Sequence, residues 1–263
     1  MDRGINDKPP SQALAETEES PPNAADSAEE SLWRALRAGD AAERLALATD
    51  GLERAPADIS PDTHLLLLRQ IYLAHLELRE LPAAIRVAQA MTTIGPMRDV
   101  AQHDLARILW IAERQEEAIT AQRFAARAAP AERRSFHLWT LACFLFHAGA
   151  HEPALSALDR GLRWARRDRP LLMAQAALIR LEQDEPVEEL ERVLRELRES
   201  PHGRGYGQYL LGMIALYLGD DSKAVVYLRA FLTRHASADV PTQLTLRDEL
   251  GAARAALARL DSD

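Results

Sequence analysis

The feature that most constrains this chain is a repeat of 34 residues. ELPAAIRVAQAMTTIGP ends at Pro96 and RQEEAITAQRFAARAAP at Pro130, and Ala84-Ile85 returns as Ala118-Ile119 at the same shift of 34. The pattern recurs as HEPALSALDRGL around Ala154 and as DSKAVVYLRAFL around Ala224, each following a glycine, Gly149 or Gly219. A fixed period of this size marks stacked supersecondary units, each burying its apolar face only against its neighbours. From Ser31 onward the apolar residues follow helical periodicity, with turn signals every dozen or so residues and no segment that reads as a strand. The expected fold is all-α.

These residues resemble the tetratricopeptide repeat, whose pattern is W-x2-L-G-x2-Y, then A-x3-F, then P. In the best match, YLLGMIALYLGDDSKAVVYLRAFL, Leu211-Gly212 take the L-G pair, Gly219-Asp220 the interhelix turn, Ala224 the small position of the second helix and Leu228 the large one. The resemblance implies a right-handed α-solenoid of stacked antiparallel helix pairs over residues 31–236. Repeats are expected at about 63–96, 97–130, 133–168, 170–202 and 205–236. At 170–202 either Glu189 or Leu190 takes the small position, according to register. A degenerate first pair at 31–57 keeps the Gly39-Asp40 turn and Pro56 but has Arg44 in place of alanine. PTQLTLRDELGAARAALARL reads as one amphipathic capping helix over 241–260, covering the last pair's apolar face.

Composition closes off other classes. The chain has 263 residues, 47% apolar and 27% charged, enough for a substantial core. A net charge of -8 argues against a general grip on phosphate backbones, so nucleic acid is not an expected partner, and no membrane is expected either because no apolar run approaches eighteen residues. The single cysteine, Cys143, excludes an internal disulfide and a thiolate cluster. Residues 1–28, rich in Pro, Ser, Glu and Asp, read as a disordered acidic tail without the features of a secretory signal. With no apolar run of membrane-spanning length, the expected location is the cytoplasm.

Several patterns that suggest catalysis lack their context. PHGRGYGQ has three glycines but neither the G-x-G-x-x-G spacing nor a preceding strand. His147 and His151 stand four apart with Gly149 between them and no third ligand nearby. Cys143 has no identifiable base, and a thiol on a packed helix is ordinarily a small hydrophobe. Arg160, Arg163, Arg166, Arg167 and Arg169 form a basic run that reads as a solvated face. Neither cofactor nor metal is implied, and the chain is not expected to be an enzyme.

One helix carries an aromatic surplus. SFHLWTLACFLFHAG holds Phe136, Trp139, Phe144 and Phe146, although only 5% of the chain is aromatic. The resemblance implies that Leu138, Leu141, Ala142 and Leu145 face the partner helix, whereas Phe136, Trp139, Cys143 and Phe146 line a concave groove. Equivalent positions on other first helices supply Arg69 and Leu73, then His103, Arg107 and Trp110, then Tyr206, Tyr209 and Met213. Aromatic and arginine side chains dominate binding hot spots. The implied function is a protein-binding adaptor, scaffold or chaperone that takes an amphipathic helix or an extended hydrophobic peptide. Lysine is absent from every first helix, which disfavours capture of a terminal carboxylate. The alternative is a regulatory or nucleic-acid-binding helical array, which needs a ladder of cations on the first helices; only Arg69 and Arg107 resemble one.

Overall fold

The computed structural model describes residues 24–95 and 97–261. Among them the chain forms fourteen α-helices and no strand: α1 (Ala24–Arg37), α2 (Ala41–Glu53), α3 (Pro61–Glu77), α4 (Leu81–Met91), α5 (Arg98–Ile111), α6 (Gln115–Ala128), α7 (Ala131–His147), α8 (His151–Leu162), α9 (Arg169–Glu182), α10 (Leu190–Glu199), α11 (Tyr206–Tyr217), α12 (Asp221–His235), α13 (Val240–Thr245) and α14 (Arg247–Leu260). A 3-10 turn at Pro201–Arg204 precedes α11. Helices α1 to α12 form six consecutive pairs that stack side by side as an all-α solenoid. Most of the acidic tail read from the sequence lies outside the described residues. Its end does not: residues 24–28 belong to α1, and Ala28 is buried.

Five pairs turn by one backbone device. Arg79, Glu113, Gly149, Asp184 and Gly219 follow their first helices in the left-handed conformation. The next residue donates back to the carbonyl five positions earlier, as in Glu80 to His75, Arg114 to Leu109 and Ala150 to Leu145. This doubly bonded turn satisfies carbonyls that a helix end would leave orphaned. Only Gly149 and Gly219 are glycines, so the other turns are not marked in the sequence. The first pair is held differently: Asp40 accepts from the amide of Glu43 at 2.8 Å, and Glu43 accepts from that of Gly39 at 2.9 Å.

The backbone also fixes the repeat register. Ala84, Ala118, Ala154 and Ala224 are each the fourth residue of a second helix, each donates to the carbonyl just before that helix, and each is fully buried. Val193 occupies this place in α10, donating to Glu189. This corrects the expectation of Glu189 or Leu190: Glu189 stands before the helix at φ 53°, and Leu190 begins it. Arg44 takes the place in α2 and is ion-paired with Glu77 of α3, so its length reaches outward to a carboxylate. Two paired helices meet tightly at Gly212, where an added Cβ would stand 2.6 Å from two side-chain carbons of Leu228.

Five apolar clusters follow one another along the stack, from Leu32 and Ala48 of the first pair with Leu67 of α3 to Leu211, Leu228 and Phe231 at the last. Leu138 and Leu141 are core residues, at 2% and 3% exposure. Buried carboxylates tie neighbouring first helices near the repeat spacing: Asp104 accepts from Arg69 (2.6 Å), and Asp99 takes a two-pronged bond from Arg133 (2.7 and 2.9 Å). Both acids are almost completely buried.

The carboxy-terminal segment departs from expectation. It is two helices, α13 and α14, broken at Leu246. Asp239 caps α13 through the amide of Thr242 (2.7 Å), and Thr245 turns its hydroxyl back to the carbonyl of Pro241 (2.7 Å). Helix α14 covers α11 and α12 with Leu250, Ala253, Ala256 and Leu257, whereas α13 reaches back to α3 and α5. One straight helix could not meet both demands.

Candidate functional site

Residues 244–249 touch the first helices of four pairs, which makes the face those helices form concave. Leu244 joins the cluster of α3, α4 and α5. Arg107 of α5 donates to the hydroxyl of Thr245 (2.7 Å), and the Trp110 indole to Asp248 (2.8 Å). His147, at the end of α7, lies 3.2 Å from Glu249, and the Tyr206 hydroxyl at the start of α11 donates to the same carboxylate oxygen at 3.0 Å. In return Arg247 donates to the carbonyl of Ile111 (2.9 Å), at the end of α5.

Between this segment and α7 lies a cavity of about 230 Å³. Of the residues expected in the groove, His103, Arg107, Trp110, Phe136, Trp139, Cys143 and Tyr206 line it. The other five do not. Arg69 is committed to Asp104. Leu73 packs into the α3–α5 cluster, as Leu244 does, and Phe146 against the clusters of α7 to α9 and beyond. Tyr209 is a core residue at 2% exposure, its ring 5.5 Å from that of Phe231, and Met213 packs against the same cluster, which α14 completes. The expected open groove is thus partly filled by the chain itself.

The remaining lining was not assigned from the sequence. Phe144 lies flat on Trp110, with ring centroids 4.6 Å apart and planes 2° from parallel, which joins α5 to α7. The aromatic surplus of α7 therefore serves two contacts: Phe144 seals a helix junction, and Phe136, with 44% of its surface exposed, faces outward. Trp139 stands between, edge-on to Tyr206 at 5.0 Å. Thr245, Leu246, Asp248 and Glu249 also line the cavity, and no local signal marks them, because they come from about a hundred residues further along the chain.

The site's titratable groups are set by burial. Burial pushes His103 down to about 4, outweighing the nearby Asp104 carboxylate, so its imidazole is neutral near pH 7. Gln122 donates through its amide nitrogen to the carbonyl of His137, so its oxygen accepts from His103 Nδ1 (3.0 Å). Burial also disfavours charge on His147, but the hydrogen bond and charge of Glu249 prevail and hold it above its ordinary value. Burial raises the Cys143 thiol far above its usual range; its sulfur lies 3.8 Å from Tyr206 Oη and 3.7 Å from Gln175 Oε1. Such a thiol is a poor nucleophile. No group of three or more His, Cys, Asp or Glu among the described residues is placed to hold a metal, and no described helix is long and apolar enough to cross a membrane.

Phe136 also borders a wider cleft of about 990 Å³ between the start of α7 and the α8–α9 connection. There it meets Trp164, 41% exposed, and Arg163, Arg166 and Arg167. Arg134 lies over the Trp164 ring at 4.6 Å. None of those three guanidinium groups forms an ion pair among the described residues, although Glu132 and Asp168 line the same cleft and Asp168 accepts from the Arg166 amide (3.0 Å). The basic run is solvated, and it also flanks two exposed aromatic rings.

No protein-family model matches the sequence, and no curated protein is similar to it. Solved structures do share its fold. PilF of Pseudomonas aeruginosa superposes with a TM-score of 0.58 at 15% identity, over 85% of this chain and 97% of its own. A MamA double mutant gives 0.51 at 14% identity, over 76% and 98%. A chain of the Cut9–Hcn1 hetero-tetramer gives 0.51 at 16% identity, over 90% and 54%. These are tetratricopeptide-repeat proteins, and this chain has their fold.

Proposed function

We propose that the protein is a tetratricopeptide-like interaction module that holds an amphipathic segment of another protein, anchored at Phe136. The observation that carries this reading is the setting of that ring. It is a large apolar side chain, 44% exposed, between the cavity against α7 and the cleft of Trp164. Exposed aromatic rings beside unpaired arginines are the usual composition of a binding hot spot. The arginines ask for acidic residues next to the partner's apolar anchor. One chain of similar fold was solved within a hetero-tetramer, Cut9–Hcn1.

The reading keeps the partner class expected from the sequence but moves its anchor to the open end of the face. A nucleic-acid reading finds no support here, since Arg69 and Arg107 both serve Asp104. A test is selection of helix-forming peptides from a displayed library on the purified chain. Enriched peptides should combine apolar residues at helical spacing with Asp or Glu, and Phe136→Ala should weaken them about tenfold or more without lowering the melting temperature. Failure to enrich any peptide, or binding indifferent to Phe136→Ala, would count against the module.

A further inference from the structure

The filled part of the concave face shows what chemistry that face accepts. Its own side chains act as donors: the Arg107 guanidinium, the Trp110 indole and the Tyr206 hydroxyl, with the His147 imidazole beside them. The segment brings acceptors, the Thr245 hydroxyl between two leucines, Leu244 and Leu246, that enter separate apolar clusters, and then the Asp248 and Glu249 carboxylates. We propose that this face is a receptor for a helical segment bearing leucines followed by paired carboxylates, and that residues 239–249 of this chain are its resident competitor. The proposal rests on the module reading above and names the partner's recognition pattern.

Two features make the occupant exchangeable. Helix α13 has six residues, and of its side chains only Pro241 is buried. The break at Leu246 separates it from α14, whose Leu250, Ala253, Ala256 and Leu257 belong to the last core cluster. Asp248 and Glu249 stand in the first turn of α14, so the strap leaves by unwinding Arg247–Glu249 while Leu250 to Leu257 keep the rest of the cap in place. The geometry also brings a newcomer to the strap, because Phe136 and Trp139 line the same cavity as Thr245, Leu246, Asp248 and Glu249. A partner segment that extends inward from Phe136 meets those residues and must take over their bonds.

The probe is a fluorescein-labelled synthetic peptide of residues 239–252, DVPTQLTLRDELGA. Its binding to the full chain is compared with binding to the full chain carrying Leu244→Ala, Thr245→Ala and Asp248→Ala, which loosen the strap and leave every donor of the face in place. The loosened chain should bind the peptide at least about tenfold more tightly, and adding Trp110→Phe should remove about tenfold of that, since one hydrogen bond to a charged group is lost. Should the triple variant not fold, hydrogen exchange of the wild-type chain gives the same answer: excess peptide should deprotect amides of 240–246 and spare those of 250–257. A folded variant that binds no tighter than wild type, or amides that stay protected under saturating peptide, overturns the competition. Library peptides that bind through Phe136 equally well to both chains would defeat this inference and leave the module reading standing. If no peptide depends on Phe136, the module reading fails.

Discussion

At the scale of single residues, His103 shows how the concave face depends on charge state. Its neutral imidazole donates to Gln122, which in turn donates to His137, and its ring lies edge-on to Phe136 at 5.1 Å. The folded value near 4 lies below the unfolded value near 6.5, so between them the unfolded chain binds the extra proton. The contribution to stability is therefore complete above pH 6.5 and is lost as pH falls through 6.5 toward 4. The loss should reach up to about 3 kcal/mol. Urea unfolding at pH 7.5 and pH 4.5 checks this. The wild-type chain should lose more stability across the interval than a His103→Asn variant does, and equal losses would mean that the imidazole is hydrated.

At the scale of elements, the turn between paired helices is set by backbone and only sometimes by glycine. Nothing lies within 4 Å of where a Cβ on Gly149 would stand, so Gly149→Ala tests conformation alone. With φ at 73° it should cost about 1–2 kcal/mol. Arg79 holds the equivalent left-handed position at φ 60° with an exposed side chain. Arg79→Gly should be neutral to stabilising by up to about 1 kcal/mol, the relief of strain exceeding the entropy given to the unfolded chain. Opposite signs in denaturant unfolding would identify the two turns as one device. Glycine-marked turns at 149 and 219 were legible in the sequence. Those at Arg79, Glu113 and Asp184 were not, because their side chains tolerate a strained φ without advertising it. The register of α10 was obscured for the same reason: a left-handed Asp184, a left-handed Glu189 and a bulky Val193 replace the small-residue pattern.

At the scale of the whole molecule, the solenoid is not an open array. Bonds from Arg107 to Thr245 and from Trp110 to Asp248 span 138 residues each and link the second third of the chain to its end. In a linear stack each pair feels only its neighbours. Removing residues 247–263 would then strip protection from α11 and α12 alone. Here the same truncation should also raise hydrogen exchange in α5, whose carbonyls at Trp110 and Ile111 lose Arg247 and whose indole loses Asp248. Unchanged protection in α5 would show that the clasp adds nothing to the stack.

The helical class, the 34-residue period, the small alanines at 84, 118, 154 and 224 and the core leucines at 138 and 141 were determined by the sequence itself. Each is a short-range rule repeated along the chain: helical periodicity, close approach where a side chain is small, and a face buried against the next pair. What occupies the concave face was decided only by tertiary structure. The segment TLRDE carries no local mark of a ligand; it fills the face because the stacked helices bring Arg107, Trp110, His147 and Tyr206 within hydrogen-bonding reach of it. The division of the aromatic surplus, with Phe144 sealed onto Trp110 and Phe136 left open, was decided in the same way. A period in the sequence states which side of a helix faces inward, and the curvature accumulated over several pairs decides which inward side chains meet.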